Sequence, residues 1–276
     1  MQILFTVFAA CYLTRLVKNS ILGFIMAEII VFANQKGGVG KTTSAVNLGS
    51  YIAEAGKKVL LVDFDPQGNL SSSVGADKTR PGIYELMSEE VSPKDALQAT
   101  PVDNMSIIAT NSHLAGASVE LVDQPRREFF LRTALQPLSE QFDYIFIDCP
   151  PSLGLLTLNG LVAADEVFIP MQCEFFAMEG ITQLLESIRM VQKRFNTKLK
   201  IGGVFFTMYD SRTKLAQEVV SDVIGHFGRL VFSTIIPRNV RLSEAPSHGV
   251  PINKYDAGCV GAQNYRALAH EVLDRG

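Results

Sequence analysis

The residues with the clearest chemical potential lie in one stretch, residues 34–43, which reads N-Q-K-G-G-V-G-K-T-T. It follows the apolar run 29–33 and precedes a helical pattern over 44–55. Glycines let such a loop turn its backbone N–H groups inward, and the following helix adds the positive end of its dipole. Lys41 can then reach the β- and γ-phosphates of a nucleotide, and the Thr42 hydroxyl can bind Mg²⁺. The stretch therefore predicts a nucleoside triphosphate site.

A second lysine separates this loop from the common phosphate-binding pattern. The motif G-x-x-x-x-G-K-[ST] would place glycine at position 35, which is Gln35, whereas Lys36 stands five residues before Lys41. The alternative is an ordinary glycine turn with lysines that happen to flank it. The strand pattern before the loop and the helical pattern after it favour phosphate binding.

Carboxylates end two further apolar runs, at Asp63 and at Asp148. In an open parallel sheet, ligands bind beyond the carboxyl ends of the strands, so we expect both aspartates beside the loop. Asp148 would hold a water of the Mg²⁺ shell, and Asp63 would steady that shell or Thr42. Asp65, two residues along an extended segment, would orient the attacking water. Each aspartate has the alternative of a helix-cap or turn role.

The order of the predicted elements favours an α/β fold, with a mostly parallel twisted sheet and helices on both faces. Strands are predicted at 29–33, 57–63, 105–110, 143–148, 167–171, 201–208 and 230–236. Helices are predicted at 44–55, as two short pieces within 83–99, at 114–140 with a break near Pro125, and at 153–163, 179–195, 215–227 and 261–274. Residues 238–257 are expected to be irregular, apart from one turn near Ser243. We expect residues 27–276 to form one domain.

Residues 1–26 are apolar, with Arg15 and Lys18 in the middle. A signal peptide places its positive charge before the apolar core. The longest uncharged run, 1–14, is shorter than the roughly 20 residues of a spanning helix. We therefore expect a start codon assigned too far upstream, with Met26 as the true start; an apolar, membrane-associating extension is the alternative.

The formal net charge of −3 hides an asymmetry. Residues 189–254 carry 11 Lys and Arg against 4 Asp and Glu, net +7, whereas residues 1–188 are net −9. A basic segment in an acidic chain suggests a face for polyanions, and a solvated face with charges balanced in space is the alternative. The four cysteines show no C-x-x-C spacing, which predicts neither a zinc site nor disulfides and fits a reducing cytoplasm.

Several segments together resemble one family. The K-G-G-V-G-K-T-T loop at 36–43 resembles the deviant Walker A motif of the ParA/MinD class of P-loop ATPases. Further ParA-like signatures are V-D-F-D-P-Q-G-N at 62–69, D-C-P-P-S at 148–152, T-M-Y-D-S-R-T at 207–213 and I-P-R-N-V-R-L-S-E-A-P-S at 236–247. The resemblance runs from about residue 26 to 274 and is strongest to the short chromosomal ParA group, often called Soj.

The resemblance implies an ATP-hydrolysing partitioning protein of the cytoplasm that associates with the nucleoid. ATP with Mg²⁺ would form a sandwich homodimer in which Lys36 of each subunit touches the partner's phosphates. The dimer would bind double-stranded DNA without sequence preference. Hydrolysis would be slow until a ParB-like partner stimulates it, and would release the DNA.

The resemblance also implies roles for individual residues. Lys36, Lys41 and Asp65 would carry catalysis. The residues expected to bind ATP are Lys36, Gly37, Gly38, Val39, Gly40, Lys41, Thr42 and Thr43 at the phosphates, and Met208, Pro237 and Asn239 at the adenine.

Three charged residues are assigned outside the nucleotide loop. Arg212 and Arg241 match the arginines through which this family holds DNA phosphates, with a surface ion pair as the alternative for each. Glu174 would reach the partner's nucleotide or, as an equal alternative, cap the helix at 179–195.

Related functions share these motifs. A MinD-like membrane-associated ATPase needs a C-terminal amphipathic helix with a basic face, whereas residues 265–276 carry equal numbers of acids and bases and read as a packing face, so stable membrane insertion is not expected. A ParA-like ATPase that positions another cargo remains open. An iron-protein electron-transfer ATPase would need cluster cysteines, and Cys149 has no suitable partner. A small-molecule kinase or ligase would need a substrate pocket, which no residues specify.

Overall fold

A seven-stranded sheet forms the centre of the computed structural model, which describes residues 26–174 and 177–275. The strands are β1 Glu28–Phe32, β2 Val59–Asp63, β3 Leu97–Ala99, β4 Met105–Ile108, β5 Tyr144–Asp148, β6 Glu166–Gln172 and β7 Lys200–Thr207. Their order is β3-β4-β2-β5-β1-β6-β7; the edge strand β3 runs antiparallel to β4, and the other neighbouring pairs are parallel. The predicted mostly parallel sheet is confirmed. The expectation for residues 1–25 lies outside the described residues.

Helices connect the strands and cover the sheet. They are α1 Lys41–Glu54, α2 Asn69–Ser73, α3 Ile83–Met87, α4 Pro93–Ala96, α5 Leu114–Glu120, α6 Phe130–Leu135, α7 Leu155–Ala163, α8 Ala177–Arg194, α9 Lys214–Phe227, α10 Val240–Glu244, α11 Ile252–Tyr255 and α12 Val260–Arg275. Short 3₁₀ turns lie at Arg127–Phe129, Gln136–Leu138, Gly228–Leu230 and Ala245–His248. None of the helices in the described part of the chain is long and apolar enough to cross a membrane.

Two hydrophobic cores lie on opposite faces of the sheet. One contains buried residues of α3, α6, α7, α8 and α9, and the other contains buried residues of α1, α2 and α12. The central strands β2 and β5 are buried along their whole length, as expected for strands covered on both faces. Tyr265, Leu268 and Val272 of α12 are buried in the second core, so the predicted packing face of the C-terminal helix is present.

Strand register brings the predicted acids together. Asp63, at the end of β2, pairs in register with Asp148, at the end of β5, and Asp148 also pairs with Phe32 of β1. The chain leaves β1 directly into residues 34–43. The carboxyl ends of three adjacent strands therefore meet at one edge, as the sequence predicted.

The end of the 83–99 segment differs from its prediction. Its two short helices are α3 and α4, and Ser92 is the N-cap of α4 with Pro93 at its first turn. Residues 97–99 form strand β3 instead of more helix, with Leu97 opposite Ile108 of β4. The edge of β4 offers hydrogen-bond partners to the backbone of residues 97–99, and this pairing overrides their weak local preference for helix.

The prediction of a strand at 230–236 is wrong, as is the expectation that 238–257 is mostly irregular. Leu230 ends a 3₁₀ turn, and the segment makes isolated bridges instead of a ladder, at Val231 with Val204 and at Pro237 with Tyr209. The Phe232 ring fills the space where a side chain on Gly203 would stand, so packing replaces a ladder. Residues 240–255 contain α10, a 3₁₀ turn and α11.

Candidate active site

The phosphate loop has the backbone that its glycines allow. Gly38 and Gly40 have φ values of 74° and 85°, in the left-handed region that favours glycine. Gly40 is the N-cap of α1 and supplies no side-chain hydrogen bond there. The first N–H groups of α1 therefore remain available to an anion, and they face the same direction as the positive end of the helix dipole.

Two polar side chains fix this loop to the sheet. Asn34 Nδ2 donates to the Pro170 carbonyl of β6 at 2.8 Å, and Asn34 Oδ1 accepts from the Lys36 N–H at 3.0 Å. The Thr207 hydroxyl, at the end of β7, donates to the Val39 carbonyl at 2.8 Å. Neither Asn34 nor Thr207 had a predicted role, although an amide close after a strand is a known turn signal.

The two lysines of the loop lie in different surroundings. Lys41 is buried and lines the cavity, with Nζ 3.5 Å from the Lys36 carbonyl oxygen. Burial lowers the pKa of Lys41, and the Asp148 and Asp65 carboxylates oppose that shift. The Lys36 side chain is 37% exposed and forms an ion pair with Glu174 of the same chain. Lys41, and not Lys36, thus faces the cavity of its own subunit.

Asp148 is the carboxylate in contact with the loop. The Thr42 hydroxyl donates to Asp148 Oδ2 at 2.6 Å. The other oxygen, Oδ1, is buried and has no hydrogen-bond partner among the described residues. Burial, and then the neighbouring Asp63 charge, raises the pKa of Asp148 well above its usual range.

These groups fit Mg²⁺. An unsatisfied buried carboxylate oxygen is costly, and it suits a water in the shell of a cation. The Thr42 hydroxyl lies beside that carboxylate, as a direct ligand would. A divalent cation would also favour the ionised forms of the aspartates that burial disfavours.

Asp63 points to α2. It accepts hydrogen bonds from Ser71 N at 2.7 Å and from Ser71 Oγ at 2.6 Å. Burial raises its pKa to about 6. The expectation that Asp63 steadies Thr42 is not met, because the Thr42 hydroxyl is directed to Asp148. Nothing in the sequence distinguished Ser71 from the serines beside it.

Asp65 combines a turn contact with a place in the cavity. Its Oδ1 accepts from Gln67 N at 3.0 Å, which is the turn role weighed as its alternative. The residue is buried and lines the same cavity as Lys41 and Thr42. The turn contact thus fixes one carboxylate oxygen of a residue that also lines the cavity.

The cavity has a volume of about 550 Å³ and extends from the phosphate loop to residues 236–246. Met208, Pro237 and Asn239, which were expected at the adenine, line its far end. Met208 has a φ of 49°, which is unusual for a residue other than glycine. Tyr265 also lines the cavity and had no predicted role.

Comparison with known proteins places the chain in a family. Residues 27–201 match the family described as the AAA domain. The chromosome-partitioning ATPase Soj of Treponema pallidum is 58% identical over 250 residues, which cover 91% of this chain and 98% of that protein. The chromosome partitioning protein ParA of Myxococcus xanthus is 49% identical over 252 residues, 91% of this chain and 89% of that protein. This chain belongs to the Soj/ParA family of chromosome-partitioning ATPases.

A solved structure agrees with this membership. Cobyrinic acid a,c-diamide synthase from Mycobacterium smegmatis, with a bound ATP analog and magnesium, superposes with a TM-score of 0.80. It is 40% identical, and the match covers 90% of this chain and 94% of that one. The P-loop ATPase fold and the family's ATPase activity are therefore established for this Soj/ParA protein.

The two predicted DNA-binding arginines of the Soj/ParA chain lie outside the cavity, in surface ion pairs. Arg212 donates to both oxygens of Asp210, from Nε at 2.8 Å and Nη2 at 2.6 Å, with 87% of its side chain exposed. Arg241 donates from Nη1 to Glu244 Oε2 at 2.9 Å. The surface-pair alternative thus describes the contacts of both arginines, and both remain accessible to solvent.

Glu174 lies beside Lys36 at the exposed edge of the loop, and both of its expected roles stay predictions. Its carboxylate contacts Lys36 at the exposed edge of the loop, not the nucleotide cavity of its own chain. A capping contact with α8 would run across residues 175–176, which lie outside the described residues.

Proposed function

We propose that this protein partitions a DNA cargo by forming an ATP-dependent homodimer on non-specific double-stranded DNA of the nucleoid. The dimer leaves the DNA when a ParB-like partner stimulates ATP hydrolysis. The observation that carries this proposal is the separation of the two loop lysines. Lys41 is buried at its own phosphate site, whereas Lys36 stands at the exposed edge and does not line the cavity.

ATP occupies the cavity in this proposal with its base and phosphates at opposite ends. Met208, Pro237 and Asn239 hold the base, and the N–H groups of residues 37–43 hold the phosphates. The Lys41 ammonium neutralises charge on the β- and γ-phosphates. Because the site positions charge and water and does little covalent chemistry, intrinsic hydrolysis is slow.

The acidic residues serve two roles, metal binding and orientation of the attacking water. Thr42 and Asp148 would hold Mg²⁺, Thr42 directly and Asp148 through water, and Asp63, at the end of the adjacent strand, would support that shell. Bound Mg²⁺ supplies neutralisation of the developing phosphate charge. Asp65, fixed by its turn contact to Gln67 N, orients the attacking water.

The dimer forms when both subunits are loaded. Lys36 leaves Glu174 and reaches the phosphates of the partner subunit's ATP, and Glu174 stands at the same edge, within reach of that nucleotide. Nucleotide state thereby controls association, since an empty or ADP-loaded partner offers Lys36 less negative charge.

DNA binding uses the net +7 segment, in which Arg212 and Arg241 lie. Phosphate contacts of this kind give affinity that falls steeply with salt and carries no sequence information. Dimerisation places two copies of each arginine on one face, so the dimer binds DNA more tightly than the monomer does.

Sedimentation velocity with Mg²⁺ and ATP, with ADP, and without nucleotide tests the proposal. A dimer with ATP alone, which retains a short duplex of mixed sequence and releases it at raised salt, supports it. A monomer under all three conditions, or DNA retention that is independent of nucleotide, would overturn it.

A further inference from the structure

The C-terminal helix α12 contacts two sides of the nucleotide cavity. We call the side formed by the phosphate loop and α1 the phosphate wall, and the side formed by residues 236–239 the base wall. The Tyr265 hydroxyl lies 2.9 Å from Ser44 Oγ of α1, the helix that begins at the phosphate loop. The neighbouring residue, Asn264, donates from Nδ2 to the Ile235 carbonyl at 2.8 Å, two residues before Pro237 at the end assigned to the base. Adjacent residues of one helix therefore hold the phosphate wall and the base wall.

A second group of contacts lies near the end of α12. Glu271 accepts from Ser233 N at 2.7 Å and from Thr234 N at 3.0 Å, one bond to each carboxylate oxygen. Arg275 donates to Glu271 Oε1 at 2.8 Å and lies over the Phe232 ring, 3.9 Å from its centroid. These contacts fix three consecutive residues on the path to the base wall.

The segment 231–237 depends on such contacts because the sheet holds it weakly. It meets β7 and the residues after it through the isolated bridges of Val231 with Val204 and of Pro237 with Tyr209. The N–H groups of Phe232 and Ile236 also donate to the Val204 and Phe206 carbonyls of β7, at 2.8 Å and 2.9 Å. A continuous ladder would set the position of every residue, whereas these contacts leave the backbone of residues 233–235 to side chains of α12. Asn264 and Glu271 supply three of those contacts.

We propose that Asn264, Tyr265 and Glu271 are positioning residues that set the distance between the base wall and the phosphate loop. They act through the segment 231–239 and through Ser44, at a distance from the reacting phosphate. The inference rests on the proposed placement of the base against Met208, Pro237 and Asn239.

Loss of these contacts should weaken the binding of ATP and leave the binding of a ligand without a base unchanged. ATP spans both walls, so a change in their separation weakens its binding. Inorganic tripolyphosphate needs the phosphate loop alone, so its binding is unaffected. Loss of one or two ordinary hydrogen bonds corresponds to an increase of about three- to tenfold in the dissociation constant for ATP.

Calorimetric titration of the full chain with Mg²⁺-ATP and with Mg²⁺-tripolyphosphate provides the test. Tyr265→Phe removes the hydroxyl and keeps the ring, and Glu271→Ala removes both acceptors. Glu271→Gln keeps one oxygen acceptor and should restore part of the ATP affinity. Val272→Ala is the matched control, because Val272 is buried in the same helix and contacts neither wall through a hydrogen bond.

Steady-state hydrolysis gives a second measurement. KM for ATP should rise by about the same three- to tenfold with little change in kcat, because the groups at the γ-phosphate keep their positions. Val272→Ala should lower the melting temperature and leave KM unchanged. Equal weakening of both ligands, a loss confined to kcat, or unchanged ATP affinity in Tyr265→Phe and Glu271→Ala would overturn the inference.

Failure of the inference is distinguishable from failure of the base placement. Asn239→Ser keeps an N-cap oxygen for α10 and removes the amide. If Asn239→Ser weakens ATP binding and the α12 variants do not, only the positioning role is wrong. If Asn239→Ser also leaves ATP binding unchanged, the base does not lie at residues 236–239.

Discussion

Lys36 and Glu174, which are 138 residues apart in sequence, form an ion pair within one subunit. Both side chains are partly exposed, at 37% and 49%. A surface pair of this kind contributes little to stability and opens readily. It keeps the Lys36 ammonium at the edge of the protein, where the proposed dimer would bring it to the partner's nucleotide.

Lys36→Ala should abolish ATP-dependent dimerisation and spare ATP binding, because Lys36 does not line the cavity of its own subunit. Sedimentation velocity with ATP would measure association, and titration with a fluorescent ATP analogue would measure binding. Lys57→Ala, at another exposed lysine, is the control and should behave as the wild type. A normal ATP dimer in Lys36→Ala would contradict the role across the interface.

Glu174→Gln should shift dimerisation to a lower ATP concentration. The substitution removes the charge that holds Lys36, and an exposed pair is worth up to about 1 kcal/mol, so the midpoint should fall by no more than about fivefold. Sedimentation across an ATP titration would measure that midpoint. A higher ATP requirement would show instead that the partner's nucleotide needs the Glu174 carboxylate more than Lys36 needs release.

Asp65→Ala should leave a long-lived ATP dimer that does not turn over, since the cavity keeps its phosphate-binding groups and loses the group that orients water. Phosphate release and dimer lifetime would be measured together. Asp65→Asn is the informative comparison, because its amide oxygen can still accept from Gln67 N and keep the turn. Undiminished turnover in Asp65→Ala would refute the water-orienting role.

Arg212→Glu and Arg241→Glu should weaken DNA binding and leave the ATP dimer intact, because both arginines lie outside the cavity. For each DNA phosphate that the variant no longer neutralises, the slope of log affinity against log salt should become shallower by about 1. Filter retention across a salt series would measure the slope. Arg229→Glu, an exposed arginine of the same basic segment, separates a local contact from a general charge effect. Equal weakening in all three variants would argue against specific contacts.

The elements that surround the candidate nucleotide site were predictable from local signals. Glycine spacing, paired lysines and acids at the ends of apolar runs each act over a few residues, and parallel strands bring such ends together. The contact of Lys36 with Glu174 was not predictable, because it depends on how β1 and β6 lie side by side in the sheet.

Residues 230–236 show the opposite case. Their β-branched and apolar content favours a strand, and the local signal is strong. Phe232 packs above Gly203, and Glu271 accepts hydrogen bonds from Ser233 N and Thr234 N. These contacts form in place of a β-ladder. Because the competing contacts come from elements distant in sequence, the residues of 230–236 alone could not predict them.

Met208 carries a cost in conformational energy at the wall assigned to the base. Its φ of 49° is a conformation that disfavours a side chain of this kind by about 1 kcal/mol. Asparagine tolerates that backbone better, so Met208→Asn would make the protein more resistant to heat. The same change would replace an apolar side chain beside the nucleotide with an amide. At position 208, a substitution that raises thermal stability is therefore expected to lower the affinity for the nucleotide.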